Sequence, residues 1–178
     1  MVDRAWLLSR FYRVAYQGAR VYWFLLRPKK RGVKCVITRG DEVLLVRHTY
    51  GERHAWELPG GSIKRGEQPI GAARRETFEE LGLAITDWVA LGDFFAEHEH
   101  RADTLYCFHA DVDDAAPVPD RVEIAEVGWF PSAAPPAQIG RFVRRILIMT
   151  ETAARERAEA ARASAVSTRP PAAQAIRR

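Results

Sequence analysis

Three glutamates set the chemical question: Glu76, Glu79 and Glu80 close the stretch from Gly61 to Leu83, GSIKRGEQPIGAARRETFEELGL. Their spacing of i, i+3 and i+4 places three carboxylates on one face of any helix that forms there, where like charges repel. The nearest basic residues, Arg74 and Arg75, precede all three. Clustered hard oxygen ligands are what Mg²⁺ or Mn²⁺ binds. Such a cation turns the repulsion into attraction and leaves coordination positions open to substrate phosphates. Taken alone, the three glutamates read more readily as a solvated acidic face. The preceding Pro59-Gly60-Gly61 narrows the choice, because it brings bare backbone up to the helix. A glycine carbonyl there can join the carboxylates as a ligand, and phosphate can approach the main chain.

The elements that must hold these residues follow from hydropathy and turn residues. Val33–Thr38 and Glu42–His48 read as two strands joined by a tight turn at Arg39-Gly40-Asp41. Residues 56–63 contain Pro59-Gly60-Gly61 and cannot be regular throughout. Gln68–Leu81 reads as a helix stopped by Gly82. Ile85–Glu97, Thr104–Val112 and Ala125–Phe130 read as strands, with a proline-bearing loop over 113–120 and a break over 131–136. A last helix is expected from Ala137 to about Ala161, with Phe142, Val143, Ile146, Leu147 and Met149 inward.

The central stretch resembles the Nudix box, GX5EX7REUXEEXGU with U a bulky apolar residue. Gly61 opens it, Glu67 follows after five residues, and Arg75-Glu76 come after seven more. Thr77 takes the first apolar position, Phe78 the variable one, and Glu79, Glu80, Leu81, Gly82 and Leu83 complete it. Thr77 is the single departure, and its methyl can still pack. The resemblance implies an α/β fold, a Nudix-type α/β/α sandwich with a mixed central sheet, over roughly residues 32–157. It implies hydrolysis of a phosphoanhydride bond in a nucleoside diphosphate linked to another group, by water attack at phosphorus. It further implies that Glu76, Glu79, Glu80 and the Gly60 carbonyl bind Mg²⁺ or Mn²⁺. Glu67 and Arg75 would hold the catalytic helix in position. Members differ in the general base, which lies inside the box (Glu76 or Glu79) or in a loop beyond it; here the outside candidates are Glu123 and Glu126. Non-catalytic relatives that sense nucleotides usually lose a box glutamate, and this chain retains all of them.

The substrate pocket is less legible. Arg47 and His48 end a strand that should run beside the metal site, so they, with the Gly61 backbone, are candidates to meet phosphate. His98-Glu99-His100-Arg101 reads as a charged loop near the pocket, without zinc-ligand spacing. Trp56, Phe95 and Trp129 are of the type that stacks a base, although such aromatics more often belong to a core. No signature in this region selects among oxidised nucleotides, nucleotide sugars, dinucleoside polyphosphates or capped RNA.

Charge divides the 178-residue chain, whose formal net charge is +4. Residues 1–34 hold nine basic residues against one acid, and 151–178 hold six against three, whereas 35–150 hold twelve against nineteen. An acidic central domain fits a metal-loaded site better than a DNA-binding surface, and residues 1–31 are too short for a fused DNA-binding domain. Those residues read as an amphipathic helix, with Arg10, Arg13, Arg20 and Arg27 on one arc and Leu7, Phe11, Tyr22 and Leu26 opposite. Two readings of it stand: packing on the domain or a second subunit as a homodimer contact, or peripheral contact of residues 4–27 with an anionic membrane surface. Its longest apolar run, Val21–Leu26, is too short to span a bilayer, and no leader-peptide cleavage pattern follows it. Residues 32–162 then form the hydrolase domain, and 163–178 an Ala/Arg/Pro-rich disordered tail. Cys35 and Cys107 lie in strand-like runs and read as buried thiols in a reducing, cytoplasmic setting.

Overall fold

The computed structural model describes residues 29–167, apart from 52–53 and 99–100. Its elements run β1 (Lys29–Arg39), β2 (Glu42–His48), α1 (Pro69–Leu81), β3 (Val89–His98), β4 (Arg101–Asp111), β5 (Ile124–Pro131) and α2 (Val143–Ser167). The strands form one sheet in the order β3-β4-β1-β2-β5. β1 and β4 are parallel and the other neighbours antiparallel, so the sheet is mixed.

Strand alternation builds two cores from the same strands. Val33, Cys35 and Ile37 of β1 and Leu44 and Val46 of β2 bury against Ala72, Ala73 and Leu81 of α1. Val36, Val43 and Leu45 turn the other way, joining Leu105 and Cys107 of β4 against Val143, Ile146 and Leu147 of α2. With apolar residues on both faces the strands appear as near-continuous hydrophobic runs, and each fully buried Leu, Ile or Val contributes roughly 1.5–3 kcal/mol. This is the α/β/α sandwich expected from the sequence. Both cysteines are buried and free.

The sheet has a local irregularity that positions the glycines. β1 and β2 pair directly only at Thr38–Val43 and Arg39–Glu42, then diverge. Residues 56–63 fill the gap. On one side Val33 N–H donates to Gly61 O and Cys35 N–H to Pro59 O, each at 2.9 Å; on the other, Val46 and Glu57 exchange both backbone hydrogen bonds. Backbone polar groups that divergence would orphan are thereby satisfied, and Pro59-Gly60-Gly61 lies within the sheet layer beneath α1.

Several boundaries differ from the sequence reading. Gly32 lies inside β1. β3 starts at Val89 rather than Ile85, and the Trp88 indole donates to Ile85 O in the intervening turn. α2 starts at Val143 rather than Ala137, because Trp56 holds the preceding residues extended: its N–H donates to Gln138 O, and Gly140 N–H donates to its carbonyl. The same helix continues to Ser167, so residues 163–167, assigned to the tail, are helical. The reason is local: Ala-rich sequence carries high helix propensity and needs no buried face. The amphipathic segment 4–27, the rest of the tail (168–178) and Glu99-His100 lie outside the described residues. Among the described residues no helix is long and apolar enough to cross a membrane.

Candidate active site

α1 is held at both ends by simple means. Pro69 sits in the first turn behind an extended Gln68, and Gly82 adopts a left-handed φ of 67° with its N–H donating to Phe78 O. The register so set buries Thr77 completely, its methyl in the core as expected and its hydroxyl donating to Ala73 O at 2.7 Å. Ala72 and Ala73 let the helix approach the sheet closely, which carries Glu76 and Glu80 to the Gly60-Gly61 backbone.

Arg75 organises the carboxylates. Its Nε and Nη2 donate to the two oxygens of Glu67, both at 2.9 Å, in a bidentate pair. Nη1 donates to Glu76 Oε1 at 2.8 Å and Glu79 Oε2 at 2.9 Å, and Nη2 also reaches Ser62 O at 3.0 Å. The Arg75 hydrogen bonds, aided by the Lys64 N–H, hold Glu67 down at about 2. Glu67 in turn raises Arg75 above its ordinary value. Glu76 is raised by burial, against the pull of Arg75, while the Glu79 side chain is about half exposed.

Glu80 is the buried member of the set, 4% exposed. One oxygen accepts the Gly60 N–H at 2.9 Å. Burial pushes its carboxyl up to about 8, opposed by that hydrogen bond and by Lys34, and reinforced by Glu76 and Glu123. The two glycines are constrained differently, Gly60 by backbone and Gly61 by a side chain. Gly60 has a φ of 140°, and a Cβ there would run into Val33 O; a Cβ on Gly61 would stand 2.5 Å from the Glu76 carboxylate.

The donor chemistry fits a hard divalent cation: Glu76 and Glu80 adjoin the Gly60-Gly61 turn, Glu79 lies one helical turn from Glu76, and burial raises Glu80. The spacing of the set as it stands is wider than an ion cage. Among the described residues no three His, Cys, Asp or Glu side chains converge on one point, and the Arg75 guanidinium occupies the centre of the cluster.

Lys34 and Glu57 were not singled out in the sequence. The Lys34 ammonium donates to Glu57 Oε2 and Leu58 O, both at 3.1 Å. Burial pulls Lys34 down, but the Glu57 pair outweighs it and the net shift is upward. Gly140 makes room, since a Cβ there would overlap the Glu57 carboxylate. The available signal was a lone lysine in the apolar run Val33–Ile37.

Arg47 lies 4.4 Å over the Trp56 ring and pairs with Glu126 at 3.2 Å, while its buried Nε has no partner among the described residues. A register shift separates it from His48. The His48 ring sits 5.2 Å from that of Tyr50, and burial lowers it to about 4. Of the two carboxylates beyond the box, Glu123 is close enough to Glu80 to influence its titration, whereas Glu126 is tied to Arg47. Trp56 is in the core, and Trp129 is partly buried beneath Arg39. Phe95, by contrast, is 58% exposed on the opposite edge strand. A cleft of about 380 Å³ opens beside β5, between Pro117, Pro119 and Arg121 of the loop and Val127 and Trp129 of the strand.

Comparison with known proteins agrees with this arrangement. The chain is 37% identical over 80 residues to an RNA pyrophosphohydrolase from Bartonella bacilliformis, an alignment covering 36% of this chain and 47% of that protein. It is 31% identical over 114 residues to the NAD-capped RNA hydrolase NudC from Pseudomonas aeruginosa, covering 64% of this chain and 40% of that one. The chain thus spans less than half the length of these curated relatives. Among solved structures, a MutT NUDIX hydrolase from Burkholderia pseudomallei superposes with a TM-score of 0.64 at 23% identity, over 68% of this chain and 98% of that one. The NUDIX domain of Shewanella oneidensis NrtR, in complex with ADP ribose, gives 0.62 at 19% identity over 75% and 90%. These two likenesses concern the fold. The family model for the NUDIX domain matches residues 28–148, which takes in the whole sheet, α1 and the start of α2, and the chain belongs to that family.

Proposed function

We propose that this protein is a metal-dependent pyrophosphohydrolase acting on a nucleoside diphosphate linked to a second group. The observation carrying the proposal is the buried Glu80 carboxylate. It is hydrogen-bonded to Gly60 beside Glu76 and Glu79, and hydrolysis of an anionic anhydride requires positive charge at that point. The names of the relatives, an RNA pyrophosphohydrolase and an NAD-capped RNA hydrolase, support a phosphoanhydride joined to a nucleotide as the substrate class.

Glu76, Glu79, Glu80 and the Gly60 carbonyl would hold Mg²⁺ or Mn²⁺. Bound there, the metal would lower the pKa of the attacking water and neutralise charge on the phosphate oxygens. The protein's own part is placement. Glu67 keeps Arg75 anchored through two hydrogen bonds, and Arg75 keeps Glu76 and Glu79 aligned along the helix. Gly60 and Gly61 present main chain rather than side chain to the phosphates. Of the two carboxylates outside the box, Glu123 is the better candidate to accept a proton from water, because Glu126 already serves Arg47.

The test is phosphate release from nucleoside di- and triphosphates, ADP-ribose, nucleotide sugars, dinucleoside polyphosphates and capped RNA. Each is run with Mg²⁺, Mn²⁺ or EDTA, for the natural protein and for Glu79→Gln. Turnover of one compound that needs metal and falls at least about 10²-fold in the variant is the expected result. Nucleotide binding without turnover of any compound would replace the hydrolase by a nucleotide sensor.

A further inference from the structure

We propose that the free edge of β5 is a base-binding site, where the main chain of Val127 and Trp129 reads the nucleobase of the substrate; this rests on the nucleotide chemistry proposed for the carboxylate cluster. β5 ends the sheet, with β2 as its neighbour on the inner side. The backbone groups that face outward are fixed from the far side of β2. Val46 exchanges both its backbone hydrogen bonds with Glu57, so its N–H and C=O point away from β5. Its partner across the ladder is Val127, and residues opposed without exchanging hydrogen bonds turn their polar groups outward on both strands. Trp129, two positions on and opposite Leu44, does the same. The outer row therefore offers an N–H and a C=O from each residue, and none of the four has a partner among the described residues.

Two elements frame this row. At one end the Arg121 guanidinium donates to Ala125 O at 3.0 Å. Facing the row are Pro117 and Pro119, which have no N–H with which to pair as a strand would. The N–H groups of their neighbours serve α1 instead: Val118 donates to Leu81 O at 2.8 Å and Asp120 to Glu80 O at 3.0 Å. A cleft of about 380 Å³ is left between loop and edge, within the roughly 300–1,000 Å³ of small-molecule sites. Its walls suit a base, with proline rings for the flat faces and main-chain groups for the polar edge. Every nucleobase carries a donor beside an acceptor on that edge, whereas an added peptide strand would need the loop moved aside. The place suits a nucleotide too. The loop is tied to the Glu80 carbonyl, and Glu123, close enough to Glu80 to influence its carboxyl, is four residues and at most about 13 Å from Val127. A base held at the edge can leave its phosphates at the carboxylates.

The experiment records amide NMR spectra of the full-length protein with Mg²⁺ and AMP, GMP, CMP or UMP, which contain no anhydride and so are not turned over. Ribose 5-phosphate is the probe without a base. At least one nucleotide is expected to shift the Val127 and Trp129 amides, and ribose 5-phosphate to leave them in place. Val127→Pro removes the outward N–H alone, because the β2 ladder does not use it and proline is tolerated on an edge strand. The dissociation constant for that nucleotide should rise about tenfold in the variant. The map on the natural protein decides the matter if the variant does not fold. Shifts confined to α1 and residues 60–61, equal shifts with ribose 5-phosphate, no shift with any probe, or unchanged affinity in a folded Val127→Pro each overturn the proposal. Shifts of β5 that follow protein concentration alone overturn it in favour of a second copy on the edge. Metal-dependent turnover with silent β5 amides removes this site and leaves the hydrolase reading standing, whereas nucleotide bound at β5 without turnover of any compound keeps the site and removes that reading.

Discussion

Gly61→Ala separates the integrity of the fold from that of the site. The added Cβ would stand 2.5 Å from Cδ and Oε1 of Glu76, whereas ordinary contact begins near 3.4 Å, so the carboxylate must retreat by about 1 Å. Glu76 is also held at 2.8 Å by Arg75, so the retreat breaks or drags that hydrogen bond. Misplacement of a catalytic group by about 1 Å can cost about 10²-fold in rate, equivalent to about 2.7 kcal/mol of transition-state stabilisation. The fold should tolerate the change. Gly61 is not among the residues with positive φ, and the obstructed atoms end a side chain that can move. A loss below about 1 kcal/mol lowers the melting temperature by no more than about 4 °C in a chain of this size. Gly60→Ala should behave in the opposite way: its Cβ meets the rigid Val33 carbonyl at a φ of 140°, and the domain itself should be destabilised by about 3 kcal/mol or more. Metal-dependent turnover measured alongside thermal melting distinguishes the two. If Gly61→Ala keeps turnover within about threefold and its metal requirement unchanged, the reasoning from Glu76 placement is refuted.

Two further perturbations test the surroundings. His48 titrates near 4 when folded instead of 6.5, so the unfolded chain binds a proton before the folded one does. Stability should therefore fall as pH drops from 6.5 towards 4 and then level off, by about 3 kcal/mol in total from this residue. Urea titrations across that range should be flatter by this amount for His48→Gln, and identical slopes would exclude the assignment. Thr77→Val keeps the buried volume and removes a hydroxyl that donates to the Ala73 carbonyl and also meets the Cys35 thiol. Stability should change by less than about 1 kcal/mol and activity should be retained; a loss above about 3 kcal/mol would show that the hydroxyl holds more than its own helix turn.

The sequence carried the local facts. The i, i+3, i+4 glutamates, the Pro69 start and the Gly82 stop are written in adjacent residues, because helix geometry and left-handed caps act over one or two turns. The sheet covered on both faces was expected only through the Nudix resemblance, and the strands' two buried faces emerged with the fold. α2 departed from the reading at both ends for different reasons. Its start is set by the backbone hydrogen bonds of Gln138 and Gly140 to Trp56, far away in the chain, and its extension to Ser167 by alanine propensity that a search for apolar faces overlooks.

What only tertiary structure decided were contacts between residues far apart in the chain. The wedge of residues 56–63 between β1 and β2 sets the Gly60 N–H on Glu80; the glycines before the helix pointed to a close approach, but not to which carboxylate the loop would meet. The burial that raises Glu80, the Lys34–Glu57 pair, and the commitment of Arg47 to Trp56 and Glu126 arise in the same way. A side chain's charge state and availability depend on what surrounds it in space, and hydropathy along a chain records only which residues prefer to be surrounded. The type of chemistry was therefore legible in one helix and its loop, while the division of labour among the charges required the folded sheet.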